Sequence, residues 1–128
     1  MNFQFLYWHN LKCSLSESKN RPFFQEREIW FAFVGKNIGF EQDGKGEKFL
    51  RPVVVLKKFN NETFLAVSLT HSSKTGKFYY PFWVEGQVST AILSQIKLMD
   101  AKRLSYRFGI VDEPTFTTLK TKIRQFLA

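Results

Sequence analysis

The run Arg51-Pro-Val-Val-Val-Leu56 constrains this chain more than any other stretch of it. Val53 to Leu56 are apolar, mostly β-branched, and uninterrupted by a polar residue. A strand built from them buries both of its faces whichever way it pleats. The strand pattern extends over 51–59, and Asn60-Asn61 then reads as a hairpin turn into ETFLAVSLT, residues 62–70.

Around this hairpin the chain supplies further strands. EIWFAFV (28–34) alternates weakly and is rich in aromatic residues. KFYYPFWV (77–84) carries Pro81, which argues for an edge strand or a bulge. AILSQIKLM (91–99) and LSYRFGIV (104–111) follow, the latter with Leu104, Tyr106, Phe108 and Ile110 expected on one face and Ser105 and Arg107 on the other. Asp112 is placed to cap a terminal helix with Glu113 and Pro114 in its first turn. Phe116, Leu119, Ile123 and Phe126 fall at helical spacing, with Lys120, Lys122 and Arg124 on the outer surface.

Ahead of the strands, Phe5, Trp8, Leu11 or Lys12, and Leu15 predict a short amphipathic helix over 3–16. The polar SESKNRP segment (16–22) reads as a linker. The expected fold is therefore mainly β (α+β): five or six short strands spaced as in a small barrel, with a helix at each end. Residues 1–26 form the N-terminal helix and linker, and 27–128 one compact domain.

Composition narrows the function. With 44% apolar residues, 15 of them Phe, the chain is not of the disordered class. Its apolar runs are far shorter than the ~20 residues a membrane helix needs. The N-terminal stretch lacks the basic region and small-residue cleavage site of a signal peptide. Cys13 is alone, so a reducing, cytoplasmic setting is expected. Nineteen Lys and Arg against eleven Asp and Glu give a net charge of +8, which favours a polyanionic partner, nucleic acid first among them.

No metal is expected, because His9 and His71 lie on different elements and no carboxylate cluster has ligand spacing. A Ser-His-Asp hydrolase is not expected, because there is no G-x-S-x-G elbow. No cofactor is expected either, and neither GKNIGF nor DGKGEKF has phosphate-loop spacing. What stands out is Arg51, a permanently charged planar fork suited to phosphate oxygens, placed at the start of the most apolar strand. Thr70 closes the partner strand. Counting outward from Asn60-Asn61 puts residues 51 and 70 each about nine positions away, at the same end of the ladder. The alternative is a surface arginine paired with Glu41 or Glu47 and a threonine that merely ends a strand.

Metal-free cleavage of RNA needs a base for the ribose 2′-hydroxyl, a cation for the charge on phosphorus, and a proton for the departing 5′-oxygen. Arg51 suits the second task, and His71, next to Thr70, is a candidate for either proton transfer unless it is simply solvated. Lys36, Lys45 and Lys48 border Arg51, while Lys74 and Lys77 follow Thr70. Interleaved with Phe40, Phe78, Tyr79 and Tyr80, they suggest a groove where phosphates meet cations and bases stack on rings. In a strand Tyr79 and Tyr80 point opposite ways, so at most one is a core residue.

The order E-I-W (28–30), G-x-N-I-G-x-E-Q-x-G (35–44), RPVVVL (51–56), S-L-T (68–70) and ILSQIKLMDAKRL (92–104) resembles the PemK/MazF family of toxins over about residues 27–127. The resemblance implies an SH3-like β-barrel with a C-terminal helix, usually homodimeric, acting as the toxin of a toxin–antitoxin pair. It implies metal-independent, sequence-specific cleavage of single-stranded RNA to 2′,3′-cyclic phosphate and 5′-hydroxyl ends. It puts the catalytic arginine at Arg51 and the strand-end threonine at Thr70. Glu41 and Gln42 match the E-Q pair of the loop after the first strand, and Ser94 and Gln95 match the L-S-Q element near the dimer and substrate surface. It also implies a cognate antitoxin whose acidic, disordered segment lies in the basic groove. The loop between Glu41 and Arg51 is longer than the family's short form, and His71 stands where Ser or Thr is common. The competing reading is a non-catalytic member of the fold, such as a gyrase poison or an RNA-binding SH3-like module.

Overall fold

The computed structural model describes residues 21–34 and 49–128. The expected helix over 3–16, together with Cys13 and His9, lies outside the described residues. So do Lys36, Phe40, Glu41, Gln42, Lys45, Glu47 and Lys48.

Six antiparallel strands form one sheet: β1 (Glu28–Phe33), β2 (Leu50–Lys58), β3 (Thr63–Thr70), β4 (Tyr79–Val84), β5 (Gln87–Asp100) and β6 (Leu104–Ile110), in the order β4-β5-β3-β2-β1-β6. A single 3-10 turn (Ala101–Arg103) joins β5 to β6, and helix α1 (Glu113–Leu127) follows. The β2–β3 hairpin forms where the sequence places it. Asn60 Oδ1 accepts from the backbone N–H of Glu62 and of Thr63, both at 2.8 Å, a side-chain turn that folds the chain back.

Both faces of the sheet are covered, as the Val53–Leu56 run requires. On the first face Ile29, Val54, Leu56, Val67, Leu69, Phe82, Val84, Ala91 and Leu93 pack with Phe116, Leu119 and Ile123 of α1. On the second, Trp30, Ala32, Val53, Val55, Phe64, Ala66, Met99 and Leu104 pack with Phe24. Alternate residues of β2 therefore go to opposite cores. The segment ahead of β1 thus packs onto the second face, where the Phe24 and Phe64 rings meet at 4.9 Å.

Helix α1 begins as expected: Asp112 Oδ1 accepts from the Thr115 N–H at 3.0 Å, and Pro114 sits in the first turn. Asp112→Ala leaves that donor without its cap and is expected to cost about 1 kcal/mol, read as a lower midpoint of thermal unfolding. No change in midpoint would mean that the cap is immaterial.

Two expectations need correction. In β6 the side chains do not simply alternate. Ile29 pairs with Gly109 but Trp30 with Arg107, and Phe31 pairs with Tyr106 but Ala32 with Leu104. Each shift inserts a residue into β6, and each insertion moves the following side chains to the other face. Leu104 therefore lies in the second core while Phe108 packs against the first. Tyr106 and Ile110 are exposed, Tyr106 stacking on Phe31 with ring centroids 4.8 Å apart. Strand β5 also starts earlier than residue 91, because Glu85 and Gly86, both at positive φ (51° and 74°), make a two-residue turn between Val84 and Gln87.

The sheet bends within β5. Val67 pairs with Ile96 and Leu69 with Ala91, so Ser68 alone stands against Ile92 to Gln95. That irregularity lets β5 pair β4 at one end and β3 along the rest. Among the described residues no ladder joins the edge strands β4 and β6, so backbone bonds leave the sheet open. The β4–β5 turn nonetheless lies against β6: a Cβ on Gly109 would meet Glu85 Cγ at 2.8 Å.

At the far end, the Arg21 guanidinium donates to Asp100 Oδ1 at 3.0 Å and Oδ2 at 3.2 Å. This pairing, against partial burial and helped by the Lys102 N–H, holds the Asp100 carboxyl below the usual carboxylate range. Because folding lowers that pKa, the stabilisation is present above the carboxyl's ordinary value of about 3.9 and is lost as pH falls through the folded value. Asp100→Asn is expected to lower the unfolding midpoint at neutral pH, with the gap to the parent protein closing below about pH 4. A gap that does not change with pH would contradict this.

Candidate active site

One row of residues crosses five strands. Thr90 of β5 pairs with Thr70 of β3, Arg51 of β2 pairs with Ala32 of β1, and Ala32 pairs with Leu104 of β6. Val53 pairs with Ser68, and Arg51 and Thr70 each lie two residues beyond that pair on their own strands. Side chains in such a row share a face. Ala32 and Leu104 belong to the second core, so Arg51, Thr70 and Thr90 project on that side. The row ends the apolar layer: Val55, Val53, Arg51 run along β2, and Phe64, Ala66, Ser68, Thr70 along β3.

Arg51 and Thr70 are each 4% exposed. Arg51 is thus a buried cation, not a surface arginine. Among the described residues the buried polar or charged side chains are Arg51, Ser68, Thr70, Ser89 and Thr90, and all but Ser89 lie in this patch. Phe49, two residues before Arg51, is buried with φ at 57°, a left-handed conformation that costs a non-glycine residue about 1–2 kcal/mol. Its carbonyl accepts from the Val34 N–H at 3.1 Å, which ties the strained turn to the end of β1. Strain of this kind is retained where the surroundings fix it, often beside functional groups.

Thr70 Oγ1 accepts from the Ser72 N–H at 3.2 Å, which turns the chain out of β3. The next residue, His71, is exposed, and so are Lys74 and Lys77. Lys74 Nζ lies 5.8 Å from the centre of the half-buried Tyr79 ring, and Lys77 Nζ 5.2 Å from that of Phe78. Tyr80 packs against the first core, so the neighbouring tyrosines do divide between faces. Ser94 (exposed) and Gln95 (half-buried) sit in the β5 irregularity opposite Ser68. Glu41, Gln42, Lys45 and Lys48 lie outside the described residues.

Two groups here escape a reading of the sequence. Arg103, just before Leu104, donates from Nη1 to the Phe33 carbonyl at 3.0 Å, and burial pushes its pKa down. It adds a second cation beside the row. Thr90 belongs to the part of β5 that the sequence does not mark as strand, though the Glu85-Gly86 turn is the signal for it. Among the described residues no group of three or more His, Cys, Asp or Glu could hold a metal ion. No helix among them is long and apolar enough to cross a membrane.

A family model for the PemK-like, MazF-like toxin of type II toxin–antitoxin systems matches residues 25–127. The chain belongs to that family. No curated protein matches it by sequence. Solved structures do match by fold. MazF from Deinococcus radiodurans aligns with a TM-score of 0.64 at 18% identity, over 85% of this chain and 98% of that one. An endoribonuclease in complex with its cognate antitoxin, from a mycobacterial species, gives 0.63 at 14% identity over 83% and 94%. A MazE–MazF complex from Deinococcus radiodurans gives 0.61 at 14% over 86% and 98%.

Proposed function

We propose that this toxin is a metal-independent, sequence-specific endoribonuclease of single-stranded RNA, leaving 2′,3′-cyclic phosphate and 5′-hydroxyl ends. The observation that carries this reading is the burial of both Arg51, at the start of β2, and Thr70, at the end of β3, where the lysine- and aromatic-bearing 71–79 segment departs. A cation fixed in a dry setting acts strongly on charge that develops on phosphorus, and it needs no rearrangement during the reaction.

In this reading the ribose 2′-oxygen forms a bond to phosphorus while the bond from phosphorus to the 5′-oxygen breaks. The proton lost from the 2′-oxygen is balanced by one delivered to the 5′-oxygen. Arg51 holds the non-bridging oxygens and stabilises their added charge, since its own proton is too tightly held for it to serve as an acid. The Thr70 hydroxyl donates to one of those oxygens and orients the phosphate. His71, next in the chain, is assigned to proton transfer. Lys74, Lys77, Lys45 and Lys48 bind the flanking nucleotides by charge, Tyr79 by stacking, and Glu41 and Gln42 of the preceding loop with Ser94 and Gln95 of β5 by hydrogen bonds to the bases.

The wider reading follows the family. The sheet, bent in β5 and meeting its own far edge at Glu85, is an SH3-like barrel, and the working form is a cytoplasmic homodimer. A cognate antitoxin inhibits it through an acidic, disordered segment that orders on the basic groove. Two of the similar structures are themselves toxin–antitoxin complexes, which supports this partner. The test is incubation of the purified protein with an unstructured RNA in excess chelator. Cleavage supports the nuclease, whereas a gel shift without cleavage points to a binding module.

A further inference from the structure

The Thr90 hydroxyl stands out in this patch. Thr90 is 0% exposed, and among the described residues its Oγ1 has no hydrogen-bond partner. Leaving a buried hydroxyl unsatisfied costs about 1–3 kcal/mol, so its presence calls for an explanation. The neighbours sharply limit what that is. Across the two ladders Thr90 faces Thr70 on β3 and Pro81 on β4. Along its own strand the same face carries Val88 and Ile92. Three of these four side chains have no polar atom; the fourth, Thr70, carries a hydroxyl.

Thr70 Oγ1 has two lone pairs and one proton. One lone pair takes the Ser72 N–H. The second lone pair and the proton remain for other partners. We propose that Thr90 positions Thr70 for the reaction, its hydroxyl donating to Thr70 Oγ1 once substrate is bound. This inference rests on the nuclease reading given above. A turn of about 120° about χ1 moves a threonine hydroxyl between staggered positions, and directly opposed threonines on paired strands commonly bond in this way. With Ser72 N–H and Thr90 O–H both donating to it, Thr70 Oγ1 has its own proton directed at the phosphate. The two donors also polarise that O–H, strengthening the bond it gives in a buried setting. The unsatisfied hydroxyl of the free protein is then a group held ready for the loaded state.

The experiment compares the parent protein with Thr90→Val, Thr90→Ser, Thr70→Val and the Thr70→Val/Thr90→Val pair, on one unstructured RNA. Thermal unfolding is measured in parallel. Thr90→Val keeps the shape and removes the unsatisfied group, so its unfolding midpoint is expected to equal or exceed that of the parent. Its kcat is expected to fall about tenfold with KM unchanged, Thr90→Ser is expected to restore it, and the double variant is expected to be no slower than Thr70→Val alone. Thr90→Val cutting at the parental rate overturns the proposal. A loss in the double variant equal to the product of the single losses does so too, since it means that Thr90 does not act through Thr70. If the parent protein itself cuts no RNA, the nuclease reading falls first and this inference falls with it.

Discussion

Arg51→Ala is expected to lower the rate of RNA cleavage by about 10³-fold, the scale on which loss of one pre-placed oxyanion donor acts. Two structural facts set that expectation. Arg51 is 4% exposed, so its charge is held away from water where it acts strongly on a phosphate. It is also held in a strand that lies between β1 and β3, where Ala32 of β1 pairs with it. Arg51→Lys is expected to recover little, because an ammonium offers a point charge where the planar fork grips two oxygens. Circular dichroism that retains the strand signal in Arg51→Ala would assign the loss to chemistry. Cleavage within about tenfold of the parent would remove Arg51 from the transition state.

The largest expected loss of stability is at Phe64, about 3–5 kcal/mol on replacement by alanine. Phe64 is fully buried in the second core, in contact with the Phe24 ring and on the same face of β3 as Ala66, Ser68 and Thr70. Removing the ring leaves a cavity under the layer on which Arg51 and Thr70 stand, and a rigid sheet closes such a cavity only in part. In calorimetry the midpoint is expected to fall by about 10 °C or more for a domain of this size. A loss under about 1 kcal/mol would show that this face is a loosely held cover and not a second core.

These two effects also show how far the sequence can be read. Counting outward from Asn60-Asn61 assumes a two-residue turn, but the hairpin closes over three residues, Phe59 N–H donating to the Thr63 carbonyl. An extra residue in β2 between Val55 and Lys57 cancels that offset, so the counted register holds at Val53–Ser68. Helix α1 was legible from Asp112 through Phe126 because its cap and its apolar stripe are local patterns. In β6, alternation alone was misleading, because the two inserted residues are specified by pairing with β1 and leave no mark in the strand's own sequence. Thr90 escaped for a different reason. A threonine near a strand end usually meets water. Only the tertiary arrangement, with Thr70 on one side and Pro81 on the other, buries it without a partner among the described residues.

The most direct test of the whole account is the chemistry of the RNA ends. The purified protein is incubated with an unstructured RNA in excess EDTA, and the fragment termini are identified by mass spectrometry. Attack by the 2′-oxygen predicts cleavage that persists in EDTA, with a 2′,3′-cyclic phosphate on one fragment and a 5′-hydroxyl on the other. Cleavage that EDTA abolishes, or fragments ending in a 5′-phosphate, would contradict it.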